Sequence, residues 1–150
     1  MSCNTVEDGS WRICGQSLRT GTIIIGLLDI ICAIYRGVNA AKWLVVEIDQ
    51  IRKGGDTSGV FMSAVVVIIL LLALLQFIAS FILLWGVRNG LFSKIKLWVP
   101  AQKVLLVLYL ILYILLFVLG YHWMDFLFLI FFHPVIIYFI PVVSSYARQN

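Results

Sequence analysis

Charged side chains are scarce in this 150-residue sequence. Asp, Glu, Lys and Arg together make 12% of it, against about 25% in a typical soluble domain. With 63% hydrophobic residues and a mean hydropathy of +1.07, the chain has too little polar surface to cover a water-facing fold. Cysteine is sparse as well. The three present, Cys3, Cys14 and Cys32, form no disulfide framework. No Asn-x-Ser/Thr site occurs, so glycosylation is not expected. The alternation of barrel strands is missing, and so is a basic surface interleaved with aromatics, which sets nucleic acid aside as a partner. The two histidines have no Cys or carboxylate at ligand spacing, so no metal is expected.

Long apolar runs fill the space these absences leave. A helix needs about 20 apolar residues to cross about 30 Å of hydrocarbon, and the sequence offers four such segments at residues 22–41, 60–87, 104–121 and 126–143. The expectation is an all-α membrane protein, a four-transmembrane-helix bundle forming one domain over residues 1–150. Trp98, Pro100 and Lys103 suit an interfacial start to the third span. Residues 122–125 leave room only for a tight turn, so spans three and four read as an antiparallel hairpin. No cleaved signal peptide, lipidation box at either end or internal repeat is expected.

Basic residues set the orientation. Arg12, Arg19, Arg88, Lys94, Lys96, Lys103 and Arg148 fall on one side and Lys42, Arg52 and Lys53 on the other, which places the N and C termini in the cytoplasm. The pI near 9.1 suits anionic lipid headgroups. On this topology Cys3 and Cys14 are cytoplasmic and Cys32 lies within a span. The extracellular cysteine patterns of claudins and tetraspanins are therefore excluded, and juxtamembrane Cys14 is a candidate for palmitoylation.

The first span is the anomalous one. "GTIIIGLLDIICAIYRGVNAA", from Gly21, carries Asp29 and Arg36 where lipid should be. Insertion scales charge each roughly 2.5–3.5 kcal/mol at the centre and return only about 0.3–0.6 per Ile or Leu, so this helix alone barely inserts. Two turns separate the pair, a rise of about 10.5 Å. A bridging partner such as Gln76, Lys103 or His133 is therefore expected in place of direct contact. Ala33, Gly37 and Ala41 repeat at four-residue spacing beside them, a small-xxx-small surface for another helix. Gln76 and Ser80, with Ala73, read as an interhelical hydrogen-bonding face on span two. Tyr109 and Tyr113 form an interface stripe on span three. His133 precedes Pro134, where a kink is expected with the His covering a freed carbonyl.

Between spans one and two, "KWLVVEIDQIRKGGDTSG" places Leu44, Ile48 and Ile51 on one face and Glu47, Asp49, Arg52 and Lys53 largely off it. That pattern predicts a helix continuing out of the membrane to lie on its surface, with an Asp49–Lys53 pair, ended by Gly54 and Gly55.

One stretch is more distinctive than four apolar spans. "CGQSLRTGTIIIG", Cys14–Gly26, with its Arg19-Thr20-Gly21-Thr22 core, resembles the entry into the first helix of the lysosome-associated protein transmembrane (LAPTM) family and of related arthropod tetraspans that include the Pasiflora proteins. The "ASFILLWGVRNG" end of span two resembles the same family. Arg19 would anchor at the headgroups, Thr20 would cap the helix and Gly21 would allow close backbone approach. The resemblance implies a tetraspan of cell junctions or endolysosomal membranes. The ending "SSYARQN" lacks the Pro-Tyr motifs with which the lysosomal branch recruits ubiquitin ligases.

No nucleophile stands beside a base, and "VRNGLFSKIKLW" lacks the acid that membrane glutathione enzymes use, so neither catalysis nor a cofactor is expected. The functional expectation is helix association with other membrane proteins or a second copy in the lipid bilayer, as in a septate-junction-like component. The alternative is endosomal or lysosomal trafficking or a small proton-coupled transporter, in which Asp29 would carry the proton.

Overall fold

The computed structural model describes residues 12–13, 16–54, 57–119 and 123–148. Four helices account for nearly all of it: α1 (Leu18–Arg52), α2 (Thr57–Asn89), α3 (Phe92–Val118) and α4 (Trp123–Arg148). Ahead of α1, a minimal antiparallel ribbon pairs β1 (Arg12–Ile13) with β2 (Gln16–Ser17), an element the hydropathy pattern did not announce. Among the described residues, three helices, α1, α2 and α3, are long and apolar enough to cross a membrane. The chain is an all-helical, multi-pass integral membrane protein.

α1, α2 and α4 outrun their expected apolar segments at both ends, and α3 does so at its start while ending at Val118, short of the expected 121; polar residues continue a helix where packing or water tolerates them. The largest shift is in α3, which begins at Phe92 and passes through Pro100. Lys94, Lys96 and Lys103 thus sit on a helix and not in a loop. The α2–α3 connection shrinks to Gly90 and Leu91. Gly90 adopts φ 67°, and the Leu91 N–H reaches back to Gly86 O at 2.8 Å, the long closing bond of a Schellman C-cap that only a left-handed residue permits cheaply. The α3–α4 connection covers 119–122, and Trp123 and Asp125, expected in or beside the turn, already belong to α4.

Residues 42–52 form the helical continuation expected of them. They continue α1 without a break to Arg52 and turn one side toward the start of α2. Leu44 and Ile51 are half-buried, Ile48 is exposed and Glu47 is buried at 7%. A Cβ at Gly59 would stand 3.2 Å from Ile51 Cγ1 and 3.9 Å from Glu47 Oε2. Gly54, at φ 91°, ends the segment, while Gly55 lies outside the described residues. The Asp49–Lys53 pair forms at 2.6 Å on the exposed side, where it contributes little.

Two apolar clusters make the core. One gathers Ala40, Met62, Val66, Ile69, Leu105, Tyr109, Tyr113 and Leu116; the other joins Ile25, Leu83, Val87, Ile95, Trp98, Val143 and Tyr146 nearer the opposite end. The close approach of α1 and α2 depends on Gly26. A Cβ there would fall 2.6 Å from Leu84 Cδ2 and 2.9 Å from its Cγ. Gly26→Ala is expected to cost about 1–3 kcal/mol by overpacking, read as a lower thermal midpoint. Gly21→Ala should be near neutral, because a Cβ at Gly21 meets nothing within 4 Å.

Candidate functional site

The acid and base of α1 meet polar groups from two other helices in a layer between the two apolar clusters. Asp29 is 5% exposed and Arg36 3%. On α2, four residues apart and so on one face, Gln76 and Ser80 are completely buried. Gln76 lies between the two charges. Its Oε1 accepts from Arg36 Nη1 at 2.9 Å, and its Nε2 donates to Asp29 Oδ1 at 2.5 Å. The amide dipole is thereby oriented along the field of the pair, which strengthens both bonds in a low-dielectric interior.

The carboxylate collects two further donors. The Ser80 hydroxyl donates to Asp29 Oδ2 and has the Gln76 carbonyl as a second acceptor within 2.8 Å. Gln102 of α3 donates from Nε2 to Asp29 Oδ1 at 3.1 Å. Three helices thus converge on one carboxylate. Arg36, in turn, lies over the Tyr109 ring with its guanidinium carbon 4.2 Å from the centroid, and Tyr113 stacks beside Tyr109 at 6.1 Å. This cation–π contact has its full strength where water is excluded. Two guanidinium donors, Arg36 Nε and Nη2, and one acceptor, Gln102 Oε1, are buried without hydrogen-bond partners.

Each expected site residue has a place relative to this layer. Asp29, Ala33, Arg36, Gln76 and Ser80 are buried together, Gly37 is half-buried, and Ala41 is exposed. The four-residue repeat from Asp29 drifts because each step overshoots a turn by about 40°, so by Ala41 the stripe has rotated about 120° off the packed face. Ala40, 1% exposed, takes the inner position. Of the three bridging partners expected, Gln76 alone bridges. Lys103 is exposed, and its neighbour Gln102 supplies the contact from α3. His133 of α4 donates from Nε2 to Leu106 O of α3 at 3.2 Å, so it ties two helices together.

The entry motif is rearranged in the same way. Arg19 is exposed at the head of α1, and Thr22 is fully buried. Thr20 lies inside the first turn and is not the cap, since the helix begins at Leu18. The close approach expected at Gly21 occurs at Gly26. Cys14 lies outside the described residues, and Cys32 is a buried free thiol. It shares an apolar cleft of about 270 Å³ between α1 and α4 with Leu28, Asp29, Phe132 and Ile136. Among the described residues, no three His, Cys, Asp or Glu gather as metal ligands.

Gln102 and Glu47 are the residues that sequence reasoning missed. The signal for Gln102 was present: buried positions of α3 run Ile95, Trp98, Gln102, Leu105, Tyr109, Tyr113, Leu116, a stripe at three- and four-residue spacing that includes Gln102 and leaves Lys103 outside it.

The fold and this layer define a class, a helical multi-pass membrane protein whose intramembrane charges are hydrogen-bonded across its own helices. Comparison with known family models, curated proteins and solved structures finds no match for the chain.

Proposed function

We propose that the chain is a four-span membrane protein, with both termini cytoplasmic, that acts by lateral helix association in membrane organisation, as a component of a cell junction. The observation that carries this reading is the buried hydrogen-bonded layer. Asp29 and Arg36 are engaged by Gln76, Ser80, Gln102 and Tyr109, with apolar core on either side along the helices. A carboxylate held by three donors, with an apolar cleft as its opening, suits a register-fixing element better than a proton carrier, which needs a polar path to water. Around this layer, Ile24, Leu27, Ile31, Ile34, Leu71 and Leu74 face outward. Such faces suit lipid and neighbouring membrane helices. α4 spans about 39 Å at 1.5 Å per residue, enough for a fourth crossing. The resemblance of Cys14–Gly26 to the LAPTM and Pasiflora group points the same way.

Localisation of a tagged protein combined with native detergent pull-down tests the proposal, using wild type, Asp29→Leu and the double variant Asp29→Leu/Arg36→Met. Wild type at lateral cell contacts with co-purifying membrane proteins is expected. Partners should be lost in the single variant and kept in the double one, because the charges build the bundle without touching the partner. Wild type in acidic endolysosomes, with the same partners in all three, would move the function to trafficking or proton-coupled transport.

A further inference from the structure

Between the outward faces of α2 and α3 runs a groove of about 520 Å³, walled by Leu75, Ile78 and Ile82 on one side and Leu97, Val104 and Leu108 on the other. Lys94 closes one end. Its ammonium lies 4.4 Å above the ring of Trp85, itself 45% exposed. Neither α2 nor α3 contains an Asp or Glu, so this half-buried cation has no carboxylate along either wall of the groove.

We infer that the groove binds one anionic phospholipid, with its phosphate at Lys94 and an acyl chain along the apolar walls toward Leu108. The dimensions agree. Lys94 to Leu108 is a rise of about 21 Å along α3, about 70% of a hydrocarbon core about 30 Å thick, so a chain entering at Lys94 reaches the bilayer midplane within the groove. Charge complementarity selects the occupant: a cation at the mouth with no carboxylate partner among the described residues, and hydrocarbon beyond it, match an amphiphile with an anionic end. Trp85 fits the headgroup level, where amphipathic rings settle. The inference rests only on the chain's residence in a bilayer and is independent of the association reading.

The test is native mass spectrometry of the full chain from micelles containing equal phosphatidylserine and phosphatidylcholine. Wild type is expected to retain one phosphatidylserine with a preference of about fivefold, the effect of one cation near a headgroup. Lys94→Gln should bring the two lipids to parity, whereas Lys96→Gln, at an exposed position on the same helix, should leave the preference intact. Ala101→Phe, which fills the groove, should reduce retention of both lipids. Parity in wild type would overturn the inference. Equal loss in Lys94→Gln and Lys96→Gln would also overturn it, because the preference would then come from diffuse surface charge. Should Ala101→Phe fail to fold, the lysine comparison decides alone. Inorganic phosphate is expected not to displace the lipid, and displacement by it would contradict the acyl-chain part of the site.

Discussion

Asp29→Leu is expected to destabilise the bundle by about 3–5 kcal/mol, the usual effect of removing one partner from a buried charge pair. The side chain is 5% exposed and accepts from Gln76, Ser80 and Gln102. Its loss leaves those donors facing a leucine and strands the Arg36 guanidinium, 3% exposed, with one amide oxygen and an aromatic ring for company. Arg36→Met should cost less, because the carboxylate keeps three donors when the guanidinium goes. The double variant Asp29→Leu/Arg36→Met should recover much of the loss, since neither charge then remains buried alone. Unfolding midpoints of the four proteins in one detergent check the ordering. A double variant as unstable as the sum of the singles would mean that the two charges do not act as a pair.

Gln76→Leu is the second large effect expected, about 3 kcal/mol or more, because two hydrogen bonds to charged groups at about 1.5–3 kcal/mol each vanish together. The glutamine is fully buried and is the only bridge between Arg36 and Asp29 among the described residues, whose single ion pair is Lys53–Asp49. Gln76→Glu should be damaging in a different way, since it replaces the donor to Asp29 with a second carboxylate. The same unfolding measurement distinguishes them: Gln76→Glu, with two buried carboxylates sharing one arginine, should unfold at a lower midpoint than Gln76→Leu. A Gln76→Glu midpoint at or above that of Gln76→Leu would show that Arg36 satisfies both carboxylates.

Much of this arrangement was legible in the sequence. Four apolar runs gave four helices because hydropathy reports the cost of unsatisfied backbone in lipid, which only a helix or closed barrel avoids. Charges in the middle of one run called for a partner, and of the three candidates, Gln76, Lys103 and His133, the glutamine on the most apolar helix is the one that bridges; Ser80, expected only to face another helix, joins it on Asp29. What eluded the sequence was fine phase and depth. The drift of a four-residue repeat put Ala40 and not Ala41 inside, and a shift of one residue exchanged Lys103 for Gln102. Helix ends were underestimated wherever polar residues continue a helix beyond the apolar stretch, as at Lys94 and Glu47. Gly21 and Gly26 are equivalent by composition, and only the position of Leu84 across the interface tells which of them is needed for packing.

The account stands on Asp29 being held inside the bundle as a structural group. The most direct test is proton flux into liposomes reconstituted with wild type or Asp29→Asn, with a pH gradient imposed and a trapped pH-sensitive dye as readout. Flux from both proteins equal to that of protein-free liposomes is predicted; a wild-type flux abolished in Asp29→Asn would contradict it and make the buried layer a proton path.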